Sequence, residues 1–226
     1  MKLLNEARSI FQGLLILLLF AGTAAAQEKA AQPNQQRGSK LNVALAKTLD
    51  SIYDEDQRYR RQMSSVAKQH GWESKEMEEL WRVAGKADAA NLKQVKMILE
   101  KYGWLGPKAI GEKGNSALFL VIQHADATTQ AKYLPVMKAA YERGDAKGSQ
   151  LALLIDRVAL SNGQKQVYGS QVMQDPKTNK YQLSALEDPD HVNARRAKMG
   201  LGSIEDYLKQ WDIVWDVEAF KKTMTK

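Results

Sequence analysis

The sequence predicts a mainly α-helical protein, organised as a helical single domain with one small inserted β-hairpin. Apolar residues recur every three or four positions through most of the chain beyond residue 41. Serine and aspartate residues that can cap helices precede several of these segments. The stretch 166–183 differs, because Tyr168 and Val172 are separated from Tyr181 by turn-forming residues, a pattern typical of a hairpin.

The composition limits the classes of function. The chain has 226 residues, 44% hydrophobic content and no cysteine, so disulfides and thiolate chemistry are excluded. Its formal net charge is +7, but basic and acidic residues are interleaved. This pattern favours a solvated surface over a dedicated polyanion site, and we expect no nucleic-acid partner. No motif indicates a cofactor, and the oligomeric state is open.

The first 26 residues have the pattern of a secretory signal peptide. Lys2 and Arg8 precede the apolar stretch 10–21, and small residues end at Ala26. We expect cleavage after Ala26 and a periplasmic or secreted product. The alternative is an uncleaved membrane anchor, because no charge falls between Arg8 and Glu28 and this stretch approaches the roughly 20 residues that a membrane span needs. Residues 27–40 are polar and predict a flexible leader, followed by the helical domain over 41–226.

Four helices are predicted in the first part of that domain. The first runs from Leu41 to Gly71, and Ser74 caps the second. Asp88 is expected to cap a third helix that ends before Gly103. A turn region follows over 106–114, and the apolar run 117–122 predicts a buried helix.

The remaining elements follow from capping residues and proline. Asp126 predicts the start of a helix that is bent or started at Pro135, and residues 151–160 form an apolar helix. The hairpin over 166–183 comes next. Pro189, after Asp188, opens a helix that ends near Gly200. Ser203 is expected to cap the last helix, which continues to residue 211.

Asp156 and Arg157 interrupt the apolar helix 151–160. A buried charge costs several kcal/mol unless it is paired, so both side chains must have committed partners. Adjacent helix positions do not face each other, so those partners are different. A structural ion-pair network and a functional pocket are both open.

Gln123 and His124 end a second apolar stretch. The His124 imidazole could act as a general base near neutral pH, although a lone histidine in such a context is more often a hydrogen-bonded core residue. Asp56, Asp126 and Asp156 could converge as an acid and base pair for glycoside cleavage. The histidine spacing fits no zinc site, so we expect no metal site.

Uncharged polar residues follow Asp156. Gln166, Tyr168 and Gln171 offer donors and acceptors suited to a sugar or peptide, and Gly169 permits a close backbone approach. Arg195, beside Arg196, could clamp an anion. Such side chains are also common on exposed surfaces.

These positions form a set of short motifs. They are Asp56, Gln57 and Arg60; Asp88 and Asn91; Tyr102, Gly103 and Trp104; the QHAD run 123–126; Asp156 and Arg157; and Gln166, Tyr168, Gly169 and Gln171. The set resembles a bacterial family classed only as a domain of unknown function, over roughly residues 41–208. The resemblance implies no reaction, but it supports considering these residues as one group.

Three hypotheses follow. In the first, Gln123, His124, Asp156, Arg157, Gln166, Tyr168, Gln171 and Arg195 contribute to a polar pocket that binds an envelope sugar, peptide or anionic polymer. In the second, His124 is the base of an envelope hydrolase, with Asp56 or Asp156 as its partner. In the third, the protein is a structural or protein-interaction module.

Overall fold

The computed structural model describes residues 40–175, 178 and 180–224. This part of the chain is mainly α-helical and carries one small antiparallel hairpin, which confirms the predicted fold class. The elements in chain order are α1 (Val43–His70), α2 (Lys75–Tyr102), α3 (Pro107–Gln123), α4 (Ala127–Glu142), α5 (Gly148–Ser161), β1 (Val172–Gln174), β2 (Tyr181–Leu183), a 3₁₀ turn (Pro189–His191), α6 (Val192–Lys198), α7 (Ile204–Lys209) and α8 (Val217–Met224).

The first two helices begin where capping residues place them. Asn42 accepts a hydrogen bond from the Leu45 N–H, and Ser74 accepts one from the Met77 N–H. The predicted helix start at Asp88 is wrong, because α2 runs through this position without a break. Alanines flank Asp88 and favour helix continuation, and its carboxylate pairs with Arg60 instead of a backbone N–H.

The predicted turn region 106–114 is also largely helical. Pro107 occupies the first turn of α3, where its missing N–H costs nothing. Gly111 has φ +74° and is not helical, so α3 consists of two helical segments joined by a kink at this residue. Ala109 and Ile110 are buried, so core packing holds this turn in place. The predicted buried helix over 117–122 is confirmed.

The middle helices follow the expected caps. The Asp126 carboxylate accepts from the Thr129 N–H at 2.8 Å and so starts α4, as predicted. Pro135 lies inside α4 and does not start it. Helix α5 spans the predicted apolar stretch, and both Asp156 and Arg157 are buried in it.

The hairpin is confirmed, with strands of three residues each. Val172 lies opposite Leu183, whereas Tyr168 precedes the first strand. Pro189 opens a 3₁₀ turn that leads into α6, and Ser203 caps α7 as predicted. The prediction that this is the last helix is wrong. A further short helix, α8, follows, and the Asp216 carboxylate accepts from the Ala219 N–H at its start.

The core is centred on α3. Leu118, Phe119 and Ile122 are fully buried within one cluster that α1, α2, α4 and α5 complete. A second cluster lies under the hairpin and joins it to α6 and α7. Among residues 40–224, apart from the three that the structure does not describe, no helix is both long and apolar enough to cross a bilayer. The predicted signal peptide and nearly all of the predicted leader lie outside the described residues.

Candidate functional site

A cavity of about 170 Å³ lies where α1 and α2 meet the junction of α3 and α4. Four of its lining residues are ionisable, and they come from three separate stretches of sequence. The lining residues are Asp56, Asp88, Ala89, Leu92, Val121, His124, Ala125 and Asp126. The cavity therefore has a polar part with three carboxylates and one imidazole, and an apolar part built from small and aliphatic side chains.

His124 and Asp56 form the buried contact at this cavity. His124 follows the last residue of α3, and its Nδ1 lies 3.0 Å from Oδ1 of Asp56 on α1. The Asp56 side chain is 1% exposed and that of His124 is 10% exposed. Gln57 Nε2 donates to the other Asp56 oxygen at 2.8 Å. The middle of α1 and the end of α3 thus hold the imidazole in one orientation.

Arg60 links Asp56 to Asp88. It lies one turn after Asp56 on α1, and its Nη1 is 3.3 Å from Asp56 Oδ1. The same guanidinium donates to both Asp88 oxygens, at 3.0 and 2.9 Å. Such bidentate pairing fixes the relative position of two helices better than a single contact does. Arg60 and Asp88 therefore join α1 to α2 beside the cavity.

These contacts set the protonation states of the pair. Burial raises the pKa of Asp56, but His124, Arg60 and Gln57 together hold that pKa below its usual range. Burial lowers the pKa of His124, Arg60 lowers it further, and Asp56 opposes both effects only in part. At neutral pH the pair is therefore an ionised carboxylate and a neutral imidazole.

The tautomer of His124 follows from this state. An ionised carboxylate only accepts hydrogen bonds, so the proton must lie on Nδ1, which donates to Asp56. Nε2 is then unprotonated and carries a free lone pair. In the part of the chain that the structure describes, no residue donates a hydrogen bond to Nε2. It can accept a hydrogen bond from a ligand or take a proton as a base.

The lowered pKa of His124 predicts a specific pH dependence of stability. In the unfolded chain the pKa returns to about 6.5, so the unfolded state binds more protons below that pH. The free energy of unfolding should therefore fall as the pH falls from 6.5 towards the folded-state pKa of His124, by at most about 1.4 kcal/mol per pH unit. Urea unfolding at several pH values measures this slope.

The variant His124→Gln should show a flatter slope over the same pH range, because the group that titrates is gone. His70→Gln is the matched control, since His70 also ends a segment of helix but its side chain is 43% exposed. An unchanged slope in His124→Gln would contradict the assignment.

Asp156 belongs to a different group of contacts. Its carboxylate is fully buried and accepts from the backbone N–H groups of Val167 and Tyr168, at 2.7 and 2.9 Å, and of Ser170, at 2.9 Å. Burial raises the pKa of Asp156, and the three N–H donors oppose that rise. The side chain thus fixes the loop between α5 and β1.

Other polar side chains bind the same loop, defined here as residues 166–171. Gln166 is fully buried and closes a ring of hydrogen bonds with the Gln171 backbone, at 2.8 and 3.0 Å. Arg195 donates to the Val167 carbonyl, and Arg196 donates to that of Tyr168. The polar atoms of this group are engaged mostly with backbone. Their arrangement stabilises the loop.

Arg157 is buried without a carboxylate partner among the described residues. Its side chain donates to the Gln123 carbonyl at 3.2 Å and to the Gln171 side-chain oxygen at 3.3 Å. With its amide oxygen towards the guanidinium, Gln123 also accepts from Nε at 2.9 Å. Burial lowers the pKa of Arg157 to about 10. The Gln123 carbonyl ends α3, so the negative end of that helix dipole supports the charge.

The structure places the sequence candidates in two groups. Asp56, His124 and Asp126 line the cavity. The rest lie in the contacts around loop 166–171 and are not among the cavity's lining residues: Gln123, Asp156, Arg157, Gln166, Tyr168, Gln171 and Arg195. Their assignment to ligand binding stays a prediction. Among the described residues, no set of three or more His, Asp or Glu is arranged to hold a metal ion.

Sequence reasoning about chemistry missed Asp88 and Arg60. The sequence predicts a helix cap at Asp88, and only the family resemblance includes Arg60. The signal for Arg60 was its position four residues after Asp56, the spacing that brings helical side chains together. No local pattern could have paired Arg60 with Asp88, which lies 28 residues away.

Comparisons with known proteins bear on the family and not on the activity. Neither the curated proteins nor the solved structures give a significant match. A family model of unknown function matches residues 44–219, which include both groups of contacts described above. The chain therefore belongs to this family of unknown function, DUF6624.

Proposed function

We propose that this protein is an exported binding domain whose cavity recognises a polar group of an envelope ligand, such as a sugar or a peptide. The observation that carries this proposal is the His124 imidazole at the cavity, which contacts the buried Asp56 carboxylate through Nδ1 and has no hydrogen-bond partner on Nε2 among the described residues. Support for export comes from the N-terminal pattern of a positive start, an apolar stretch and small residues.

The hydrogen bonds around His124 favour ligand binding over a purely structural role. In a network that only joins structural elements, the buried polar atoms have hydrogen-bond partners within the protein, as in the Asp156 group. His124 is instead bonded on one nitrogen only, and the cavity beside it measures about 170 Å³. A cavity of roughly 150 Å³ can hold a molecule the size of benzene. The space therefore suits one functional group of a larger ligand.

The charge of the cavity narrows the ligand class. Asp56, Asp88 and Asp126 all line it, and Arg60 forms ion pairs with the first two. Carboxylates repel an approaching anion, so an anionic polymer is the least suitable of the ligands expected from the sequence. A neutral or cationic polar group suits the cavity better.

A second candidate is an envelope hydrolase in which His124 acts as a general base. The lowered pKa of His124 and its contact with Asp56 favour this role, because the base must be neutral and oriented. Asp56 would then orient the imidazole, since Asp156 is committed to the loop 166–171. The base would take a proton from a water molecule that attacks the substrate.

NMR titration of the His124 imidazole tests the binding proposal. The probes are muropeptides, chitooligosaccharides and short peptides, each added to wild type and to His124→Asn. We expect one class to shift the His124 signal of wild type in a saturable way. The same class should bind the variant at least about tenfold more weakly in isothermal titration calorimetry, the cost of roughly one hydrogen bond. His191→Asn is the control, because this side chain is 74% exposed and is not among the cavity's lining residues.

The outcomes separate the candidates. If none of the three probe classes perturbs His124, the binding proposal fails. If a probe binds and is cleaved by wild type but not by His124→Asn, the hydrolase replaces the binding domain. Product is measured by chromatography after incubation at several pH values, and hydrolysis should fall with acidification as His124 becomes protonated.

A further inference from the structure

We propose that the ligand group held in this cavity is a primary ammonium on a short aliphatic stem, as at the end of a lysine or ornithine side chain. The inference rests on the proposed binding function, because it concerns the same cavity, and it names the chemical class of the ligand. Three properties of the lining lead to it: hydrogen-bonding character, charge and shape.

The polar side chains of the lining are all acceptors, and each carboxylate oxygen already accepts one hydrogen bond within the protein but keeps a further lone pair. Asp56, Asp88 and Asp126 contribute carboxylate oxygens, and the neutral His124 contributes the Nε2 lone pair. A primary ammonium has three donors and no acceptor, so it matches this set completely. A hydroxyl has one donor and two lone pairs, and those lone pairs would face oxygen atoms. A carboxylate would only add repulsion.

The acceptor set is more than a group of acidic residues. His124 is a polar side chain that is only 10% exposed, lines the cavity and has a bond to Asp56 on Nδ1 alone. Its Nε2 has no hydrogen-bond partner among the described residues, so its lone pair is available to a donor that enters the cavity.

The charges around the cavity leave one negative charge in excess. Arg60 on α1 pairs bidentately with Asp88 on α2 and reaches Asp56 at 3.3 Å. Lys96 on α2 lies close enough to lower the pKa of Asp126, although the hydrogen bonds from Thr129 lower it more. Two cations thus face three carboxylates. A ligand with a single positive charge would restore neutrality and reduce the cost of burying Asp56.

The apolar part of the lining determines the length and character of the ligand's aliphatic stem. Ala89, Leu92, Val121 and Ala125 complete the cavity, and their side chains are aliphatic. At about 170 Å³ the space accepts a chain of about four carbons with its ammonium, which is comparable in size to benzene. A quaternary ammonium has no N–H donor and is normally held by aromatic rings. The lining described here contains no Phe, Tyr or Trp.

The test uses n-butylammonium chloride and its neutral isostere n-butanol, with ionic strength matched by sodium chloride. The full chain is titrated at pH 7.5 and the His124 imidazole signal is followed by NMR. We expect butylammonium to bind saturably and at least about tenfold more tightly than butanol. Tetramethylammonium, which has the charge but no donors, should bind no better than butanol.

Proton competition provides a second readout. A bound cation disfavours the imidazolium form, so saturating butylammonium should lower the His124 pKa further. By linkage, butylammonium affinity should fall as the pH is lowered and His124 becomes protonated. Asp56, Asp88 and Asp126 attract the cation, whereas Arg60 and Lys96 repel it. The decline is expected from the His124 imidazole, which loses its Nε2 lone pair on protonation.

Asp126→Asn is the variant that separates charge from folding. Asparagine caps helices about as well as aspartate, so α4 should keep its start. Removing one carboxylate should weaken butylammonium binding several-fold and leave butanol binding unchanged. Equal affinity of the variant and wild type for butylammonium would overturn the inference.

Other outcomes distinguish this inference from the proposed function. If butanol perturbs His124 as strongly as butylammonium does, the cavity recognises polar groups but not cations, and only the inference fails. The same holds if a neutral chitooligosaccharide binds and butylammonium does not. If butylammonium and all three envelope probe classes leave His124 unperturbed, the inference and the proposed function fail together.

Discussion

Asp156→Ala is expected to lower the free energy of unfolding by about 3 to 5 kcal/mol. The substitution removes the acceptor of three backbone N–H groups, and each buried donor left without a partner costs about 1 to 3 kcal/mol. The loss is partly offset because a buried charge disappears as well. Urea unfolding, followed by circular dichroism, measures the change.

The conservative variant Asp156→Asn should fall between wild type and Asp156→Ala. Its amide oxygen can still accept from Val167 and Tyr168, but its NH₂ group would face the Ser170 N–H. We expect a loss of about 1 to 3 kcal/mol. Asp190→Ala is the control, since Asp190 pairs with Lys221 at the surface and such pairs contribute about 1 kcal/mol or less. A loss in Asp156→Ala no larger than in this control would contradict the structural role.

Asp56→Ala is expected to cost about 3 kcal/mol of stability and to disorganise the cavity. The carboxylate is 1% exposed, and its removal leaves the His124 Nδ1–H without an acceptor and takes one anion from Arg60. Asp88 still pairs with Arg60, which limits the loss. Asp54→Ala on the same helix is the control, because Asp54 is exposed and pairs with Lys113 only at the surface.

A double-mutant cycle shows whether Asp56 and His124 act as a pair. The losses in Asp56→Ala and His124→Ala should be non-additive by about 0.5 to 3 kcal/mol, as for residues in direct contact. In Asp56→Asn the His124 pKa should fall further, because the carboxylate charge raises it. Additive losses together with an unchanged His124 pKa would show that the contact has no energetic role.

Several site properties could be read from local sequence. An aspartate and an arginine in a run of apolar residues had to be buried and bonded, and Asp156 and Arg157 are both. The capping role of Asp126 also followed from its neighbours, since a side-chain oxygen before Thr128 and Thr129 can satisfy the first free N–H groups of a helix. Both properties depend on residues within a few positions of one another, so they can be predicted from the sequence.

The partners of these residues depended on distant contacts. Asp56 and His124 are separated by 68 positions, and only the packing of α1 against α3 brings their side chains to 3.0 Å. The same applies to Arg60 and Asp88. The sequence therefore could name His124 as a base, but it could not choose between Asp56 and Asp156 as its partner.

The elements that were predicted wrongly have related causes. Asp88 is a good cap in isolation, yet α2 continues through it because the flanking alanines favour helix and Arg60 takes its carboxylate. The turn expected at 106–114 is mostly helical, because burial of Ala109 and Ile110 compensates for the glycines. At Asp88 the alanines and the contact with Arg60 together outweigh a capping preference worth about 1 kcal/mol, and at 106–114 burial outweighs a glycine preference of similar size.

The sequence by itself determined the helical class, the hairpin, most helix starts and the burial of Asp156 and Arg157, because hydrophobic spacing and capping are local properties. Tertiary structure alone decided which polar residues lie together. The loop 166–171 is held by Asp156, Gln166, Arg195 and Arg196, and the cavity is lined by Asp56, Asp88, His124 and Asp126. The physical reason is that helix packing selects hydrogen-bond partners that are far apart in the sequence. The spatial distances between such residues cannot be read from a single sequence.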